Sequence, residues 1–238
     1  IFHKGKIQNL KLNLEELDKY IQEHPANNLD TYQSINQYIN YLENEMTMIK
    51  DNSIDVVISN CVLNLVSTEE KETLFKEIYR VLKDGGKAVI SDIVSNVKVP
   101  EKLRQDENLW SGCYSGAIQE KSFIEHFENV GFYGVKIDKR EKTWTTIENI
   151  DFRSMTIIAH KGKEGPCIDK GQSVIYKGPF KHIKDDDDHI FERGERTFVC
   201  EKTFNILQQN PYKGVFEFIN ENEEAIDLEK CCDTSCGC

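Results

Sequence analysis

The chain has 238 residues, with 30 lysines and arginines against 41 aspartates and glutamates, for a formal net charge of −11. That balance excludes nucleic acid as the main partner, because phosphate binding needs a basic surface. No apolar run approaches the ~20 residues of a membrane helix, no secretory signal is visible, and the length suits one medium domain with a small appendage.

Ile1 to Leu10 reads as the end of a strand followed by a turn at Gly5, with Ile7 and Leu10 aliphatic. Lys11 to Met48 is polar and helix-prone. Leu14, Leu17 and Ile21 fall on one helical face, Ile35, Tyr38, Ile39 and Leu42 on another, and Pro25 with Asn27-Asn28 breaks the two apart. Asp51-Asn52-Ser53 turns into Asp55-Val56-Val57-Ile58-Ser59, a short apolar run expected to be a strand buried on both faces. Ser67 and Glu70 form a capping-box pattern that starts a helix, along which Leu74, Phe75, Ile78, Val81 and Leu82 repeat at helical spacing. Gly85-Gly86 is expected to end that helix, and Lys87 to Ile93 to return as a second, parallel strand through a right-handed crossover. Ligands of such sheets bind beyond the carboxyl ends of the strands, which is where Asn60 and Cys61 stand.

Val97 to Gln119 carries a proline that opens a short helix, then Trp110, Cys113, and two glycines, Gly112 and Gly116, that imply tight backbone around the cysteine. Lys121 to Val130 reads as a helix with Phe123, Ile124 and Phe127 inward and Gly131 as its stop. Val135–Lys139 and Met155–His160 read as the last two strands of the sheet. After Gly165-Pro166 the composition shifts to a small second module that begins at Val174. It contains an acidic loop, Asp185 to Asp188, read as a solvated turn flanked by surface histidines His182 and His189. A strand at Phe198-Val199 and a short helix through Thr203, Ile206 and Leu207 follow. Glu221 to Lys230 is an acidic linker into Cys231, Cys232, Cys236 and Cys238. Eight cysteines in a chain with an ordinary core suit reduced thiols for a soft ion better than a disulfide framework, and the four terminal ones are candidate ligands for arsenic, zinc or copper(I). Reduced thiols point to the cytoplasm. An end with no defined function is the open alternative for the tail.

The run SNCVLNL, the helix ending YRVLKDGGKAVISDI and the segment LWSGCYSGAI together resemble the arsenite methyltransferase family. The glycine-rich helix end is shared by many class I methyltransferases; the cysteine of SNCVLNL paired with that of LWSGC is far more specific. The resemblance implies an α/β fold, the C-terminal part of a Rossmann-like class I methyltransferase sheet, followed by a small C-terminal α+β module. It divides the chain into a partial methyltransferase domain at 1–162 with a helical insertion at 11–48, a small domain at 163–220, and the Cys-rich tail at 221–238. It implies S-adenosylmethionine as cofactor, with Lys6 and Ile7 bordering its adenine and Asn60 facing its methionine end. Cys61 and Cys113 become thiolate ligands of trivalent arsenicals and the catalytic pair, and the expected partner is a thiol reductant such as glutathione or a thioredoxin-like protein, with the chain a monomer. The family's glycine-rich cofactor loop, which only glycine can form at close backbone approach, has no counterpart here, so a fragment incomplete for catalysis is expected. Asn64 reads as a weaker candidate and Asp92 as a turn residue. Two readings stay open beside arsenic methylation: a non-catalytic module binding arsenic or another soft metal, and a methyltransferase acting on a small organic acceptor.

Overall fold

The computed structural model describes residues 2–220, which fall into two compact units divided between Lys161 and Gly162. In the first unit, α1 (Leu14–Glu23) starts at Asn13, whose side chain accepts from the Glu15 and Glu16 amides, and α2 (Leu29–Asn44) starts in a capping box between Asn28 and Thr31. The two helices share a small core of Leu17, Ile35 and Leu42, with Tyr20 stacked on Tyr38. Ile21, placed inward by the spacing, is exposed instead.

The sheet follows: β1 (Ile54–Asn60), α3 (Lys71–Val81), β2 (Leu82–Ser95), α4 (Glu101–Arg104), α5 (Glu107–Ser111), β3 (Ile118–Gln119), α6 (Glu120–Val130), β4 (Tyr133–Arg140), β5 (Thr145–Ile147) and β6 (Ile150–His160). Its order is β1-β2-β6-β4, with β3 paired to the end of β2 and β5 to β6. The β1–β2 and β2–β3 pairs are parallel, and β6 runs antiparallel to both β2 and β4. This is the α/β layering that the sequence implied, with Leu74, Phe75, Ile78, Val81 and Leu82 all buried on the α3 side.

Two expectations are corrected. β1 is not buried on both faces: Val56 is 41% and Ile58 76% exposed. β1 is an edge strand whose one face packs through Val57 on the main core while the other lies open. The helix α3 ends at Val81, before the glycines, and begins at Lys71 after Glu70 without a side-chain cap; Ser67 Oγ donates to the Glu70 carboxylate instead of accepting from a backbone amide. Gly85-Gly86 serves the turn into the paired part of β2. Gly85 adopts a φ of +77°, and a Cβ on Gly86 would lie 2.8 Å from the Lys83 carbonyl oxygen and 3.1 Å from that of Asp55.

The second unit holds β7 (Gln172–Tyr176), β8 (His182–Lys184), β9 (Ile190–Glu192), β10 (Arg196–Phe198), α7 (Glu201–Leu207) and β11 (Phe216–Asn220). β7 is central between antiparallel β10 and β11, and β8 pairs with β9. Val174, Tyr176, Phe191, Phe204, Leu207 and Phe216 form its core. Among the described residues no helix is long and apolar enough to cross a membrane.

Candidate functional site

Cys61 is the first residue past the carboxyl end of β1, and its amide donates to the Ser91 carbonyl on β2. Cys113 follows α5 and donates its amide to the Trp110 carbonyl. Topology brings the two together: the Cys113 thiol donates to the Cys61 carbonyl oxygen with Sγ···O 3.9 Å. Both cysteines hold left-handed backbone, φ +54° at Cys61 and +63° at Cys113. A non-glycine residue occupies that region at a cost, and such strained residues cluster where the chain must aim a side chain. Cys61 is exposed and Cys113 half-buried.

A buried polar frame fixes this arrangement. Asp92, read from sequence as a turn residue, is 2% exposed and accepts from the Leu63 amide (2.9 Å) and the Ile93 amide (2.8 Å). Asn64, 1% exposed, donates through Nδ2 to the Ile93 carbonyl (2.7 Å) and to the Cys113 carbonyl (3.2 Å), so one amide ties the Cys113 loop to the end of β2. Gly116 lies against this amide's backbone; a Cβ there would sit 1.9 Å from the Asn64 carbonyl oxygen. The Gly116 carbonyl accepts from Lys71 Nζ, a lysine buried in the apolar stripe of α3. A cavity of about 220 Å³ on this side is lined by Lys71, Lys98, Arg104, Ser122 and His126.

Burial raises both thiol pKa values, and the negative charge of Asp92 raises them further; Cys61 is also pushed up by Cys113. Burial raises Asp92 too, against the two amides that favour its ionised form. Burial depresses Lys71 to about 8. The site is therefore a pair of protonated thiols at neutral pH, held at fixed backbone positions beside a carboxylate. Trp110, three residues before Cys113, is 37% exposed.

The other residues singled out in the sequence lie elsewhere in the fold. Lys6 is exposed in a tight turn bridged to Asn9, and Ile7 packs partly on the main core. Asn60 is exposed at the last position of β1, adjacent to Cys61. Asp185–Asp188 is a built turn: Asp185 Oδ1 accepts from the Asp187 and His189 amides. His189 is not a surface histidine; its Nδ1 lies 2.8 Å from Asp185 Oδ2 in a largely buried ion pair that raises its pKa. Cys231, Cys232, Cys236 and Cys238 lie outside the described residues. Asn64 and Asp92 were underweighted because a single polar residue at a strand end resembles a turn residue. Lys71 carried a signal: it lies three and four residues before Leu74 and Phe75, on the buried stripe.

A family model described as a methyltransferase domain matches residues 26–150, and one for a domain of unknown function, DUF8838, matches residues 163–237. Among curated relatives, an arsenite methyltransferase of Aquipseudomonas alcaligenes is 31% identical over 81% of this chain and 59% of its own length. The arsenite methyltransferase of Homo sapiens is 32% identical over 69% of this chain and 46% of its own. This chain thus spans about half the length of the curated relatives it matches. An arsenic(III) S-adenosylmethionine methyltransferase of Chlamydomonas reinhardtii, known as a crystal structure, is 28% identical over 78% of this chain and 65% of its own, with a TM-score of 0.49.

Proposed function

The chain belongs to the methyltransferase domain family, and from that premise we propose that it is the arsenic-holding part of an S-adenosylmethionine-dependent methyltransferase that acts on arsenite and methylarsenite in arsenic detoxification. One observation carries the reading: two cysteines 52 residues apart meet at the carboxyl end of the sheet, the Cys113 thiol on the Cys61 carbonyl, both on left-handed backbone. Arsenic(III) is soft and favours thiolate sulfur. Arsenic hydroxide and two thiols condense to two As–S bonds and two waters, so the reaction needs no external base and releases no net proton. Two thiolates leave one position on arsenite for hydroxide and complete methylarsenite, whose third position is already carbon.

When bound, S-adenosylmethionine supplies an electrophilic methyl group for the arsenic lone pair. This chain's residues fit one side of that cofactor: Ile7 and Lys6 would border the adenine, and the exposed Asn60 would face the methionine end beside Cys61. The glycine cradle and the acidic partner for the ribose hydroxyls are not among these residues. Cys61 and Cys113 bind and orient the arsenic. Asn64 and Asp92 hold the loops that carry them, which keeps the two cysteines beside each other before the ion arrives. Reduced thiols support a cytoplasmic location and a thiol reductant as partner, glutathione or a thioredoxin-like protein, and a single chain would carry the whole pair.

The test is a titration of the reduced chain with trivalent arsenic, read by tryptophan fluorescence, because Trp110 hands its carbonyl to the Cys113 amide. The expected outcome is a saturable change that is lost in both Cys61→Ser and Cys113→Ser. A change that survives either substitution, or no change at all, removes arsenic from this site and leaves a small organic acceptor as the better reading.

A further inference from the structure

The second unit carries two more thiols that the methyl-transfer reading does not use. Cys167 precedes β7 and is exposed; Cys200 caps α7 and is half-buried. They are 33 residues apart, yet the two segments are laced together. The Glu201 amide donates to the Ile168 carbonyl at 2.7 Å, so the residues directly after each cysteine are bonded. The Val199 amide donates to the Gln172 carbonyl oxygen at 3.1 Å, and Lys170 Nζ meets Glu201 Oε1 at 2.6 Å. These bonds bring Cys167 and Cys200 to neighbouring positions, and a hydrogen bond from Cys167 is among the causes that lower the Cys200 thiol. The Cys200 sulfur also shares a hydrogen bond with the buried Thr203 hydroxyl at 3.4 Å.

Both thiols are reduced. Hydrogen-bonded sulfurs stand too far apart for a disulfide, whose S–S length is about 2.05 Å. Two ligands on one soft ion, with bonds of about 2.3 Å opening at a tetrahedral angle, lie roughly 3.8 Å apart, a spacing that thiols on two bonded segments can reach. Among the described residues no group of three or more histidines, cysteines and carboxylates is placed to hold a metal ion, so zinc, which takes four ligands, does not suit the pair. A centre that needs two thiols and no third protein ligand does. We infer that Cys167 and Cys200 form a second thiol site that chelates a monosubstituted trivalent arsenical. The organic substituent fills the third position, the two As–OH groups leave as water with the thiol protons, and two As–S bonds replace two As–O bonds. The balance requires no oxidant or reductant.

The chemistry of Cys200 supports this. Burial pushes its thiol up, but the hydrogen bonds from Thr203 and Cys167 and the charge of Lys202 outweigh that and hold it below the ordinary thiol range. Cys167 is the exposed thiol of the pair and gives the arsenical access to it. The site is independent of Cys61 and Cys113, and its test is separate from theirs.

The experiment uses the full chain with Cys61, Cys113, Cys231, Cys232, Cys236 and Cys238 all changed to Ser, treated with one equivalent of phenylarsine oxide and then with excess glutathione, and read by intact mass. The expected result is one retained adduct of the oxide less one water, lost on adding Cys167→Ser or Cys200→Ser. Retention against the monothiol should fall ~100-fold or more in either, which is the gain from a second tethered ligand. Circular dichroism of the Cys167→Ser form, whose changed residue is exposed, controls for folding. An adduct that glutathione strips from the two-cysteine protein, or one that persists with a single cysteine, overturns the inference.

Discussion

At the scale of single residues, the site depends on what surrounds two ordinary thiols. Cys61 and Cys113 are each raised in pKa by burial and by the Asp92 carboxylate. The sign of the consequence follows from the binding reaction. Thiol and arsenic hydroxide exchange their proton and hydroxide as water, so affinity is level with pH while the thiols stay protonated and falls only above their pKa values, where two protons must first be recovered. Raised thiol pKa values therefore extend the level range upward. Asp92→Asn removes the negative charge and lowers both pKa values, which moves the falling limb of the arsenic-affinity profile to lower pH. The alkylation rate with iodoacetamide should show the same downward move in its pH midpoint. A midpoint that stays in place or rises would show that Asp92 acts only through its two hydrogen bonds to the Leu63 and Ile93 amides. The left-handed backbone at both cysteines was not legible in the sequence. Glycine announces a positive φ, and cysteine does not.

At the scale of elements, α3 couples the sheet to the Cys113 loop through Lys71. Its ammonium sits 4% exposed in the apolar stripe and donates to the Gly116 carbonyl. Burial depresses its pKa from 10.5 to about 8. Between those two values the unfolded chain binds a proton that the folded chain does not, so stability rises with pH across that window and the burial penalty is constant below it. A difference of 2.5 units corresponds to roughly 3 kcal/mol. We expect urea unfolding to show the native chain gaining about that much on Lys71→Met between pH 7.5 and pH 10.5; parallel profiles for the two proteins would mean that Lys71 keeps its charge on folding through a partner. The elements themselves were legible where the hydrophobic period was long. α3, α6, β4 and β6 each run eight or more residues, enough for the apolar face to repeat. β3, β5, β8, β9 and β10 have two or three residues each, too few to show any period. β1 was found but its burial was not, because an apolar run reports what a strand can bury and not which neighbours it has. The meeting of Cys61 and Cys113 was legible from topology, since a parallel pair sends its carboxyl ends to one side. That of Cys167 and Cys200 was not, because it depends on how β7 and α7 pack and no spacing encodes it.

At the scale of the whole molecule, the first unit presents an unsatisfied edge. β1 has β2 as its neighbour among the described residues, and its outer face exposes Val56 and Ile58. Natural sheets cover, shorten or charge such an edge, and here Asp55 pairs with Lys83 along it. Asn60 and Cys61 stand at the carboxyl end of the same strand, so whatever pairs with β1 would also border the proposed site. Half a cofactor site and a whole thiol pair make different demands. The proposed arsenic binding would need Cys61, Cys113 and the frame of Asn64 and Asp92, all of which lie within one unit. Methyl transfer would need in addition a glycine cradle and an acidic ribose partner, and no counterpart of either is read in the described residues. We therefore expect the 238-residue chain by itself to take up trivalent arsenic and yet yield no methylated product from S-adenosylmethionine and methylarsenite when product is followed by mass spectrometry. Uptake without turnover would separate the two halves of the chemistry and assign the binding half to the strand ends described here. Dimethylated arsenic from the isolated chain would mean that Lys6, Ile7 and Asn60 hold the cofactor unaided, and that the exposed edge of β1 is not where the methyl donor's remaining contacts come from.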